Sequence, residues 1–276
     1  MQLHKALLLA AVSMLLATAC SRLTFIKPDL SRKGSENEVA RPVELRPDRS
    51  DRRSSQLANA RNHLSASQKF LQAGDDSSAE REAREALRAD SKSSDAHTLL
   101  AVIEGRRGKS AKSGDHYRRA AELAPANGSV LNNYGAWLCG SGRAAESLGW
   151  FDRALQDPGY ASPASALANG GSCALKSGQG VRAERDSRAA LQLDPGNPVA
   201  LVTMAESAFR ANRFFEARAF SERRLAASPP DASALQLASQ IEMKLGDRVA
   251  ADRYVRRLRA EFPDASAAYP PGSETR

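Results

Sequence analysis

Arg188-Ala189-Ala190-Leu191-Gln192-Leu193-Asp194-Pro195 decides how this chain is read, because related phrases stand upstream of it at regular intervals. They are Arg153-Ala154-Leu155-Gln156-Asp157, then Arg119-Ala120-Ala121-Glu122-Leu123-Ala124 before Pro125, and Glu85-Ala86-Leu87-Arg88-Ala89-Asp90 before Ser91. Pro195, Pro229 and Pro263 are 34 residues apart, and Pro125 lies 70 before Pro195, two periods plus two residues. Seventeen residues ahead of each closing position runs a second marker: Gly74, Gly108, Gly142, Gly178, Asn212 and Gly246. Gly or Asn suits a tight turn between two helices, where one residue takes a positive φ. A third marker is small and follows five residues later: Ala79, Ser113, Ser147, Ala183, Ala217 and Ala251. A small side chain there lets the second helix of a pair lie close against the first.

Composition agrees with helices packed through small residues. Of 276 residues 42% are hydrophobic but only 5% aromatic, and the middle of the chain is dense in Ala, Leu, Glu and Arg. That mixture disfavours a sandwich or barrel. The net charge of +8 raises nucleic acid or an anionic surface as partners. The 40 basic residues are interleaved with 32 acidic ones, as in Glu80-Arg81-Glu82-Ala83-Arg84-Glu85. Such alternation is a solvated helix face, and no basic run carries stacking aromatics, so no nucleic-acid partner is expected.

The markers resemble the slots of the tetratricopeptide repeat: a small residue early in the second helix, then an aromatic, an alanine and a closing proline. Tyr117 and Phe151 fill the aromatic slot and Val255 substitutes for it, whereas Ser187 and Ser221 depart from the pattern. The alanine slot holds Ala86, Ala120, Ala154 and Ala190, then Arg224 and Leu258. The resemblance implies six repeats, at about 60–93, 94–127, 128–163, 164–197, 198–231 and 232–265, with two extra residues around Gly159-Tyr160 in the third. The expected fold class is all-α: a right-handed superhelix of helix pairs whose stacking supplies one continuous core. First helices would line its concave face.

Residues 1–19 read as an export signal: Lys5 near the start, then an apolar stretch from Ala6 to Leu16, too short to span a membrane as a mature helix. Ala17-Thr18-Ala19-Cys20 resembles a bacterial lipobox, with Ala17 where Leu is usual; an ordinary signal peptide with an incidental cysteine is the alternative. Acyl chains on Cys20 would anchor the protein to a bilayer. Ser21, not Asp, follows the cysteine, which points to the outer membrane. Residues 20–57, charged and carrying Pro42 and Pro47, read as a flexible tether, and 266–276, with Tyr269-Pro270-Pro271-Gly272, as a disordered tail around a repeat region of 58–265.

A search for chemistry returns nothing that an enzyme would need. His63, His97 and His116 lie in different helices without a Cys or carboxylate at ligand spacing. Gly170-Gly171 and Gly178-Gln179-Gly180 neither follow a strand nor precede Lys-Ser/Thr, so they are no phosphate cradle. No catalytic residue, cofactor, metal or small-molecule substrate is expected. Cys139 and Cys173 are the two thiols left if Cys20 is acylated, in a compartment that permits disulfides. They fall at slots twelve and ten of the first helices of repeats three and four, which stack side by side. A bridge between them is expected, the alternative being two small buried hydrophobes.

Asn132-Asn133-Tyr134-Gly135, Leu138-Cys139 and Gly142, followed by Cys173-Ala174-Leu175-Lys176-Ser177-Gly178, resemble the type IV pilus biogenesis/stability lipoproteins known as PilW or PilF. The likeness extends over lipobox, tether, repeats and cysteine pair. Repeat one is its weakest part, with Ser67 and Ala83 at slots often held by Gly and an aromatic. The resemblance implies a non-enzymatic scaffold on the periplasmic face of a Gram-negative outer membrane. It would act as a pilotin that helps the pilus secretin reach the membrane and multimerise, or as a stabiliser of the fimbrial fibre, with twitching motility as the output. Repeat geometry puts Leu64, Gln68, Leu71, Thr98, Val102, Asn132 and Ala136 on the concave face of the early repeats, as candidate partner-binding residues. Leu64 and Leu71 stand out as large apolar side chains there, unless they pack against a neighbouring helix. The rival function is a lipoprotein adaptor that recruits cell-wall enzymes.

Overall fold

A computed structural model describes residues 48–264. The signal, the lipobox with Cys20, most of the tether and the tail lie outside the described residues. Among the described residues there are twelve helices and no strand: α1 (Arg49–Gln72), α2 (Asp76–Ala89), α3 (Ser94–Arg106), α4 (Ser110–Leu123), α5 (Gly128–Gly140), α6 (Ala144–Ala154), α7 (Pro163–Lys176), α8 (Gly180–Leu193), α9 (Pro198–Arg210), α10 (Phe214–Ala227), α11 (Ala232–Leu245) and α12 (Arg248–Glu261). They form six consecutive pairs. Each second helix packs on its own first helix and on the first helix of the next pair, and the first helices also touch along the stack.

The six turns are one device repeated. Gly74, Gly108, Gly142, Gly178 and Gly246 have φ between +72° and +83°, and Asn212, at +57°, is the one non-glycine described with positive φ. In every turn the next amide bonds back to the carbonyl five residues earlier, from Asp75 N to Phe70 O at 2.9 Å through to Asp247 N to Glu242 O at 3.0 Å. This is the Schellman closure, which satisfies carbonyls that a helix end leaves open. Ser93, Asn127, Asn197 and Asp231 cap the next first helices by accepting the amide three residues on. Turn and cap chemistry therefore punctuate the chain every half-repeat.

The small-residue slot fulfils its steric role. Ala79, Ser113, Ser147, Ala183, Ala217 and Ala251 are all no more than 2% exposed, as are Ala86, Ala120, Ala154 and Ala190. Gly171 carries the same close approach from the other side. A Cβ there would lie 2.5 Å from Ser187 Oγ and 3.1 Å from the Ala183 carbonyl oxygen. Ser187, which departs from the aromatic pattern, is small because this glycine brings α7 and α8 together.

One boundary differs from the sequence reading, and the irregular slots have local causes. The segment expected to be a tether up to residue 57 is helical from Arg49, and α1 is 24 residues long. Residues 50–56 on it are exposed, so this is a solvated extension of a helix nucleated by packing further on, favoured by Asp51 in the first turn. The two extra residues of repeat three lie between α6 and α7, where the Tyr160 ring covers Gly128 so closely that a Cβ would meet Tyr160 Cγ at 2.6 Å. Arg224, at an alanine slot, folds back over the end of α10. It donates to Ser228 O (3.3 Å), Ser228 Oγ (2.6 Å) and Pro229 O (3.3 Å), and pairs with Asp231 at 2.9 Å.

Candidate binding groove

The candidate partner-binding residues lie on α1, α3 and α5, the first helices of the first three pairs. Gln68 and Ala136 are exposed, while Leu64, Thr98 and Val102 are half-buried. Leu71 is 8% exposed and belongs to a core cluster with Ala79, Ala83, Leu99, Leu100 and Ile103, against which Leu64 and Val102 also pack. The expectation that Leu71 faces solvent is thus corrected. The apolar side chain turns into the contact between pairs one and two, because burial there removes it from water. Thr98 Oγ1 is taken up by the carbonyl of Ser94 at 3.0 Å.

Asn132 is 9% exposed, and its Oδ1 accepts from Asn169 Nδ2 at 3.1 Å. This bond crosses from α5 to α7, joining first helices of adjacent pairs. Asn169 was not singled out in the sequence; its signal was only that it falls 37 residues after Asn132. The same two helices carry Cys139 and Cys173, whose sulfurs are bonded at 2.08 Å with Cα atoms 5.8 Å apart. Pairs three and four are consequently tied by a covalent and a polar link along their inner helices.

Behind the middle pairs sits an aromatic group. Tyr134 stacks on Trp137 (centroids 6.0 Å) and meets Trp150 edge-on (4.7 Å), with the Arg153 guanidinium 4.5 Å over Trp150. Gly114 makes room for Trp137, since a Cβ at that position would come within 2.1 Å of the indole. Arginines repeat a further link between pairs: Arg106 donates to Leu71 O (3.0 Å), as Arg210 does to Leu175 O (3.3 Å).

The histidines are placed as helix-to-helix contacts. His63 Nδ1 lies 2.7 Å from Glu82 Oε2. His97 and His116 face each other, Nδ1 to Nδ1, at 3.0 Å. Burial lowers the pKa of both below the usual histidine value, and for His97 the charge of His116 adds to it. Among the described residues no group of three or more His, Cys, Asp or Glu could hold a metal ion, and no helix is long and apolar enough to cross a membrane. A cavity of about 700 Å³ lies away from the early first helices, bounded by Leu175, Val181, Glu184, Arg188, Ser207 and Arg210.

Comparison with known proteins fits this geometry. The tetratricopeptide-repeat model matches residues 174–241. The type IV pilus assembly protein PilF of Pseudomonas aeruginosa is 27% identical over 194 residues, 70% of this chain and 77% of that protein. The crystal structure of PilW, described as a widely conserved type IV pilus biogenesis factor, superposes with a TM-score of 0.68 at 29% identity, covering 74% of this chain and 94% of PilW. The chain is similar to PilF and PilW and shares their fold. The solved structure of Pseudomonas aeruginosa PilF gives the same TM-score, 0.68, at 25% identity, over 76% of this chain and 95% of PilF.

Proposed function

We propose that this protein is a non-enzymatic scaffold of type IV pilus biogenesis, anchored by lipid on Cys20 to the periplasmic face of the outer membrane. It grips an apolar segment of a secretin subunit through the first helices of its early repeats and favours ring assembly by raising local concentration. The observation that carries this reading is the likeness to PilF and PilW over 70–76% of the chain. A groove of stacked helices binds a peptide or helix by shape and burial and needs no reacting group. Gln68 and Ala136 are the exposed members of the candidate set and would contact the partner first; Leu64, Thr98 and Val102 form the floor.

The test is capture of partners from the native envelope by the full chain, read by mass spectrometry. Wild type recovers the secretin. Gln68→Arg with Ala136→Arg fills the groove with bulky cations and lowers recovery at least several-fold while helicity stays unchanged. Cys20→Ala moves the protein out of the outer-membrane fraction. Recovery of cell-wall hydrolases without secretin would overturn the pilus reading in favour of an adaptor.

A further inference from the structure

The turns within the six helix pairs all lie at corresponding places along the stack, and in pairs four to six this edge has a composition that pairs one to three lack. Val181, Phe215 and Val249 stand at one slot near the start of α8, α10 and α12, 34 residues apart, and are 90%, 78% and 73% exposed. The same slot earlier holds Ser77, Ala111 and Ala145. Five residues before each apolar tip, in the last turn of the first helix, come Lys176, Arg210 and Lys244, all exposed. Gln72, Arg106 and Gly140 are their earlier counterparts. Two rows therefore run side by side along the later half of the edge, one apolar and one cationic.

The cations are largely uncommitted. Among the described residues Lys176, Lys244 and Arg248 form no ion pair. Arg210 divides itself between the Leu175 carbonyl and Glu206 at 3.6 Å, and Arg213 is bound to Glu184 and Glu216. The acidic residue in the edge itself, Asp247, spends an oxygen capping α12 through Ala250 N at 2.9 Å. A lone exposed valine is ordinary on any protein. One in every successive repeat, beside a lysine or arginine each time, is a pattern.

We propose that the turn edge of repeats four to six docks onto an anionic lipid surface. Each apolar tip has an exposed cation beside it in the neighbouring row, whereas the packed centre of a protein interface is depleted of charge. A bilayer suits this pairing: each tip reaches the acyl boundary while the flanking Lys or Arg meets a lipid phosphate. The charge complementarity selects anionic headgroups over zwitterionic ones. Nothing in this inference requires the pilus reading.

The experiment is hydrogen–deuterium exchange of the full chain on vesicles, resolved to the turn segments 178–181, 212–215 and 246–249. With vesicles of phosphatidylglycerol mixed with phosphatidylcholine, exchange at all three turns slows at least several-fold relative to solution, and added salt reverses it. Phosphatidylcholine alone leaves the turns unchanged. Lys176→Glu with Lys244→Glu, or Phe215→Ser with Val249→Ser, removes the slowing; all four side chains are exposed or lie in the solvated turn edge, so the melting temperature stays put. Chain held on anionic vesicles with its three turns exchanging at solution rates would overturn the proposal. Equal slowing on phosphatidylcholine would do the same.

Discussion

At the scale of the residue, two imidazoles sharing one contact give a pH signature. His97 and His116 meet at 3.0 Å, and one neutral ring donates to the other. Around them stand Glu104 on α3, Asp115 and Arg119 on α4, and Glu80 and Arg84 on α2. Burial holds both pKa values below the unfolded value of 6.5. The unfolded chain therefore binds more protons just below pH 6.5, and stability falls as pH drops from there through the folded-state values. Above 6.5 both states are neutral and the pair costs nothing. His116→Gln should flatten this dependence: melting temperature measured at pH 7.5 and 5.5 should differ less in the variant than in wild type. An unchanged difference would mean the pair opens without cost. Sequence alone showed three histidines in separate helices and could not show that two of them converge, because α3 and α4 are brought into register by packing. Leu71 was misread for a related reason: a slot number fixes which side of a helix a residue takes, but how deeply a neighbouring helix covers it depends on the side chains of both.

At the scale of the element, turns and small-residue slots were legible because each has a strict physical requirement. A positive φ selects Gly or Asn, and close helix approach selects Ala or Ser. Arg224 was not legible, since an arginine at an alanine slot reads as a failed match. It replaces the close contact by a cap: four donated bonds hold Ser228, Pro229 and Asp231 at the exit from α10. The side chain is 10% exposed, so these bonds are shielded from competing water. Arg224→Ala would restore the consensus residue yet should lower stability by about 0.5–1.5 kcal/mol, because the half-buried Ser228 and the Pro229 carbonyl lose their donor. Denaturant unfolding checks this, and a variant as stable as wild type would show that the alanine slot regains by packing what the cap loses. The same reasoning explains the helix that begins at Arg49. Periodicity counts apolar residues, and the first turns of α1 bury none.

At the scale of the whole molecule, each pair touches only its neighbours, so stability is close to a sum of pair and interface contributions and the stack can open piecewise. The Cys139–Cys173 bond lies between pairs three and four and closes a loop of 34 residues. In the chain-entropy account such a closure contributes about 3.8 kcal/mol by limiting the opened state. That contribution belongs to states in which α5, α6 or α7 is open, and fraying of the outer pairs does not touch it. Cys139→Ser with Cys173→Ser should therefore raise hydrogen exchange in α5–α7 by roughly a hundred-fold, given that such bonds commonly deliver 2–4 kcal/mol. Exchange in α1–α2 and α11–α12 should stay nearly constant. The Asn132–Asn169 bond would keep the inner helices in register in the variant. An equal rise across all six pairs would mean that the stack opens as one cooperative unit. In that case the bond protects the groove and the turn edge alike, and these two surfaces cannot be loosened independently.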